Sequence, residues 1–195
     1  CHHVPAVSFE RVLRGVKARY VTGLTATPQR RDGHHPILNF QIGPIRDAID
    51  PKTRAREHGF DHRMIIRETG FRLAPDSNPS IQELYGMLAA DEGRNEQILN
   101  DIIEALEEGR SPVLLTERRE HLDFFADHLA KMTRNLVVLR GGMGAKQRRG
   151  IAEKLASIAD GEERLLVATG RFLGEGFDDA RLDTLFLAMP VAWKG

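Results

Sequence analysis

Residues 164–178 read RLLVATGRFLGEGFD. An apolar run from Leu165 to Ala168 ends at Thr169 and gives way to a loop holding Gly170, Gly174 and Gly176, with Glu175 and Asp178 between and after them. A short continuous apolar run bounded by turn residues predicts a strand buried on both faces. Runs of the same kind occur at 112–116, 136–140 and 184–188. Helical patterns separate them, one turning Leu122, Phe125, Ala126 and Leu129 inward and another Ile151, Leu155 and Ile158. Helices are also predicted at 79–88 and 95–108. The second carries Ile98, Leu99, Ile102, Ile103 and Leu106 as its stripe and is closed by Gly109. Strands alternating with helices predict an α/β fold, a parallel sheet with helices on both faces.

The region before residue 63 is less regular. Residues 8–17 predict a helix capped by Ser8, with Phe9, Val12, Leu13 and Val16 on one face. Residues 20–24 read as a short strand ended by Thr25-Ala26-Thr27-Pro28, since proline bars continuation of a sheet. A short helix near 37–41 follows, then a Gly- and Pro-punctuated connection, and 64–67 is a further candidate strand. The organisation expected is therefore a segment 1–43, a connection 44–62 and a domain 63–195.

Of the 195 residues, 41% are hydrophobic and 29% charged, a balance fit for a globular core. No apolar run approaches the ~20 residues that span a bilayer, so no membrane role is expected. Cys1 is the sole cysteine, which excludes an internal disulfide and fits a reducing cytoplasm. The 28 basic and 28 acidic residues cancel, so composition gives no sign of a nucleic-acid partner. Charge is nonetheless uneven. Arg30, Arg31, Lys52, Arg54 and Arg56 cluster, as do Lys146, Arg148 and Arg149, while 91–108 is acidic. Any one such cluster is also consistent with a solvated face.

Parallel sheets present ligands at the C-terminal ends of their strands, which directs attention to Thr25, Thr116, Arg140 and Thr169. In the loop after Thr169, glycines permit close backbone approach and Asp178 suits a ribose hydroxyl. A plain surface loop is the alternative. Two lookalikes fail. Gly141-Gly142-Met143-Gly144-Ala145-Lys146 lacks the Gly before Lys and the Ser or Thr after it that a phosphate loop needs. Cys1, His2, His3, His34 and His35 lack the ligand spacing of a zinc site, so no metal centre is expected.

Thr169-Gly170-Arg171-Phe172-Leu173-Gly174-Glu175-Gly176-Phe177-Asp178 resembles motif V of superfamily 2 helicases, and Gly23-Leu24-Thr25-Ala26-Thr27-Pro28 resembles their motif III. His2 stands at the distance expected for the last residue of the D-E-x-H motif. The likeness covers nearly the whole chain and is nearest to DExH enzymes of excision-repair, restriction-motor and phage-defence type within the DEAD/DEAH-box helicases. It implies two RecA-like domains closing on ATP and Mg2+, with nucleic acid, expected to be DNA, bound across both. His2, Thr25 and Thr27 would couple hydrolysis to domain movement. Glu175, Gly176 and Asp178 would face the nucleotide. Thr116, Arg140, Gly141, Thr169 and Gly170 would meet the nucleic-acid backbone.

By the same resemblance, residues 1–43 would end the first RecA-like domain and 63–195 would form the second, with the phosphate loop, the Asp-Glu pair and the arginine finger outside the chain. The chain alone is then expected to lack ATPase activity and to hold no cofactor tightly. Its N-terminal segment, with an apolar face left over, is expected to dock on the second domain, to pair with another copy or to be poorly ordered. Two other readings stay open: a duplex translocase of a restriction or defence system, and a non-catalytic RecA-like scaffold that binds nucleic acid.

Overall fold

The structure, a computed structural model, describes residues 3–25, 33, 36–50, 63–170 and 179–190. The chain divides into two compact units, Cys1–Ile66 with Lys194–Gly195, and Arg67–Trp193. In the first unit the described elements are α1 (Val7–Arg14) and α2 (Pro36–Ile42). The second unit holds α3 (Ile81–Ala90), α4 (Glu92–Glu107), β1 (Pro112–Thr116), α5 (Arg119–Leu129), β2 (Leu136–Leu139), α6 (Ala145–Ser157), β3 (Leu165–Thr169) and β4 (Thr184–Leu187).

The four strands form one sheet in the order β2-β3-β1-β4, and every pairing is parallel. Thr116 stands opposite Thr169, and Leu139 opposite Ala168. One face carries Leu114, Leu165 and Val167 against Ile102 of α4 and Leu122, Phe125 and Leu129 of α5. The other carries Val113, Val137, Leu139, Leu166 and Ala168 against Ile151 and Leu155 of α6, with Ile158 just beyond it. Both faces are covered, which is why each central strand is apolar without alternation.

Local chemistry sets the helix ends. Ser80 Oγ accepts the Glu83 amide at 3.3 Å while Glu83 Oε2 accepts the Ser80 amide at 2.8 Å, a reciprocal cap for α3. Asp91 then caps α4 by accepting the Arg94 amide at 2.7 Å. Gly109, at φ +75°, ends α4, with its amide bonded to the Leu106 carbonyl and that of Arg110 to Ala105, so the chain turns directly into β1.

Two expected strands are absent. Residues 20–24 and 64–67 form no ladder, and Tyr20, Leu24, Met64 and Ile66 are 78%, 81%, 85% and 79% exposed. An apolar run becomes a strand only where a neighbour completes its hydrogen bonds. The helix expected at 8–17 instead begins at Val7 after Ala6 and stops at Arg14, so Ser8 sits inside its first turn and caps nothing. No residue of α1 is buried, and Phe9 and Val12 face solvent. Among the described residues no helix is long and apolar enough to cross a membrane.

Candidate functional site

At the C-terminal edge of the sheet, the ends of β1, β2 and β3 open into a groove of about 710 Å³. Glu117 and Arg119 line it from the end of β1 and the start of α5, Gly141, Gly142 and Met143 from the turn after β2, Arg148 from α6, and Thr169 from β3. Gly142 adopts φ +84°, which favours glycine in the tight turn from β2 toward α6. A Cβ at Gly141 would stand 3.7 Å from Thr169 Oγ1, so backbone and hydroxyl approach closely there. Thr169 Oγ1 is screened from solvent yet has no hydrogen-bond partner among the described residues. A hydroxyl left this way costs about 1–3 kcal/mol, a cost that a ligand oxygen in the groove would offset.

Thr116 departs from expectation. It is 2% exposed, and its hydroxyl lies 2.9 Å from His121 Nδ1. The proton's place follows from the next bonds. Asn95 Nδ2 donates to the Ala89 carbonyl at 2.8 Å, which turns Asn95 Oδ1, an acceptor, toward His121 Nε2 at 2.9 Å. Nε2 therefore carries the ring proton, Nδ1 accepts, and the Thr116 hydroxyl donates inward. That hydroxyl thus directs its proton at His121 and not into the groove, where a phosphate contact was expected of it. Burial first, and then the charge of Arg94, push the His121 pKa down to about 4.

Arg140 also turns away from the groove. Its guanidinium pairs with Asp123 of α5 at 2.7 Å, while its neighbours Gly141 and Gly142 line the groove. Both partners are well exposed, so the pair contributes little to stability. Gly170 is buried; its amide donates to the Thr116 carbonyl at 3.1 Å, and a Cβ on it would come within 2.6 Å of Glu117 Oε1. Thr25 belongs to the first unit and is exposed. His2, Thr27, Glu175, Gly176 and Asp178 lie outside the described residues, as do Cys1, His34 and His35. Among the described residues no group of three or more His, Cys, Asp or Glu could hold a metal ion.

Some residues of this edge carried no motif in the sequence. Glu117 reaches the groove from the turn after β1, Arg119 as the first residue of α5 and Arg148 from the first turn of α6, where the sequence shows it only as a member of a basic cluster. A second polar cluster lies elsewhere in the unit. Arg164, 1% exposed, pairs with Asp179 at 2.5 Å, and Asp179 also accepts the Arg181 amide at 3.1 Å. Burial alone would raise the Asp179 pKa, but the bonds from Arg164 and Arg181 and the Arg164 charge outweigh it and hold it below the usual carboxylate range. Arg181 in turn donates to the Leu155 and Ile158 carbonyls at the end of α6, at 3.0 and 2.9 Å.

No family model matches the chain. It is similar to the transcript termination protein A18 of vaccinia virus (strain Ankara), with 32% identity over 128 residues, 65% of this chain and 25% of that protein. The transcript termination protein OPG145 of monkeypox virus is 31% identical over the same length, with the same coverage. The chain thus spans about a quarter of the length of the curated relatives it matches. Among solved structures, that of T4 UvsW aligns with a TM-score of 0.48 and 18% identity over 58% of this chain and 22% of that one.

Proposed function

We propose that this chain is part of an ATP-dependent nucleic-acid motor, a helicase or translocase acting on DNA, and that the groove takes the sugar-phosphate backbone of one strand. The observation that carries the reading is the convergence of three strand ends on one groove. There Thr169 holds a hydroxyl with no partner among the described residues, beside the Gly141-Gly142 backbone, with Arg119 and Arg148 as cations. Hydroxyl, backbone and guanidinium contacts to a sugar-phosphate backbone carry no base sequence, which suits a protein that must release each nucleotide it passes. Kinship with poxvirus proteins named for transcript termination supports a nucleic-acid process. Under this reading 63–195 is the second RecA-like domain, and His2, Thr25 and Thr27 with Glu175, Gly176 and Asp178 serve the nucleotide and its coupling.

The residues described do not themselves fit ATP and Mg2+. No Gly-Lys pair occurs anywhere in the sequence, and the described residues hold no carboxylate cluster for the metal. No hydrolytic step is assigned to this chain; its part is binding the strand. Self-association through the exposed apolar side chains of residues 7–24 belongs to the same proposal.

The test is a titration of a fluorescein-labelled single-stranded oligodeoxynucleotide with the 195-residue chain, followed by anisotropy at several salt concentrations. Arg148→Ala is expected to weaken binding and to reduce the slope of log K against log salt by about 0.7, as for one lost phosphate contact to a single strand. Thr169→Val is expected to weaken binding about fivefold or more with the slope unchanged, since the hydroxyl that donates to the phosphate carries no charge of its own. Absence of binding, or binding indifferent to both variants, contradicts the reading.

A further inference from the structure

A buried polar chain of the second unit ends at Thr116, next to Glu117 and opposite Thr169 of the groove. Asn95, Thr116 and His121 are 3%, 2% and 2% exposed. They are linked from the Ala89 carbonyl through Asn95 and His121 to the Thr116 hydroxyl. Beside Asn95, Arg94 donates to the Ala188 carbonyl just past β4. The corner between α3 and α4 therefore grips the ends of two strands, β1 and β4. Three polar side chains are an expensive way to fill a core that apolar groups of the same size would fill without unmet hydrogen bonds.

What the chain fixes is Thr116, and Thr116 carries the groove's rim. Its carbonyl accepts the Gly170 amide at 3.1 Å, and Thr169 is its register partner in β3. Glu117, next in sequence, lays its carboxylate over Gly170.

We propose that His121 is a positioning residue of the groove: holding Thr116 from beneath, it fixes the Gly170 backbone, whose amide the Thr116 carbonyl takes, and with it the Thr169 hydroxyl where a phosphate meets it. The proposal rests on the reading of the groove as a backbone site. His121 touches no ligand, and it acts only as the neutral ring protonated on Nε2, since Nδ1 must accept. The groups facing it are Asn95 and Arg94 from α4, Thr116 from β1 and the Phe125 ring of α5 at 4.7 Å, with Arg94 bringing the positive charge.

Amide hydrogen exchange on the 195-residue chain tests this. Thr116→Val with His121→Phe removes the link while filling the space, and Leu122→Ala, a truncation of the neighbouring apolar core, is the control for lost stability. Each variant is measured at the same interval below its own Tm. If His121 positions the rim, Gly170 exchanges at least about tenfold faster in the double variant than in Leu122→Ala, while Val138 and Val167 exchange alike in both. His121→Gln, able to accept at one end and donate at the other, is expected to recover most of the Gly170 protection. Equal Gly170 protection in the double variant and the control overturns the proposal.

Should the double variant fail to fold, Thr116→Val alone is compared with the same control, and the same two results decide. An oligonucleotide titration of these variants separates this claim from the one beneath it. The double variant is expected to bind about tenfold more weakly than Leu122→Ala, a difference on the scale of one charge-assisted hydrogen bond. If the unaltered chain binds no oligonucleotide, the groove reading falls, and the exchange result still decides whether His121 positions Gly170.

Discussion

His121 links a protonation state to the fold. Its pKa lies at about 4 in the native chain against an ordinary 6.5. The unfolded chain takes up its proton first as pH falls. The neutral ring's contribution is therefore complete above the unfolded value and is lost between about 6.5 and 4, to the extent of roughly 3 kcal/mol. Urea unfolding from pH 7 to pH 4 is expected to show this loss in the unaltered chain and a flatter profile in His121→Phe. Parallel profiles would show that the ring does not titrate as described. The sequence carried a signal for this residue: His121 shares the inward stripe of α5, one turn before Phe125. It carried none for the direction of the Thr116 hydroxyl, because the partner that claims it lies in the following helix and not in the strand's own pattern.

Among the elements, the strands of the second unit were the most legible. Runs read at 112–116, 136–140, 164–169 and 184–188 became Pro112–Thr116, Leu136–Leu139, Leu165–Thr169 and Thr184–Leu187. Burial on both faces leaves an uninterrupted apolar run, and that mark belongs to the strand itself. Residues 20–24 and 64–67 bear the same mark without a ladder, since a run of a few apolar residues says nothing about a neighbour to pair with. Buried arginines were equally illegible. Arg164 precedes β3 as any charged flank would, yet it is 1% exposed and tied to Asp179.

Asp179→Ala would strand that guanidinium without its partner, at an expected cost of about 3–5 kcal/mol. Arg164→Met with Asp179→Leu is expected to cost distinctly less, because both charges leave together. Urea midpoints of the two variants check this. Equal losses would show that the volume filled, and not the charge, is what the pair supplies.

Over the whole molecule, the α/β plan and the edge that carries the groove followed from the alternation of strands and helices together with the rule for parallel sheets. The edge's charge did not: a formal net charge of zero conceals a rim where Arg119 and Arg148 stand near Glu117. The Arg164–Asp179 cluster belongs to the opposite end of β3, so the second unit offers an internal reference for where a ligand binds.

The central claim is that nucleic acid meets the edge formed by the ends of β1, β2 and β3. An isotope-labelled chain titrated with a single-stranded oligodeoxynucleotide and followed by amide NMR tests it most directly. Shifts are expected at Gly141, Gly142, Thr169 and Gly170, with Leu165 and Arg181 unmoved. Shifts centred on Leu165 and Arg181, or none at saturating oligonucleotide, would contradict it.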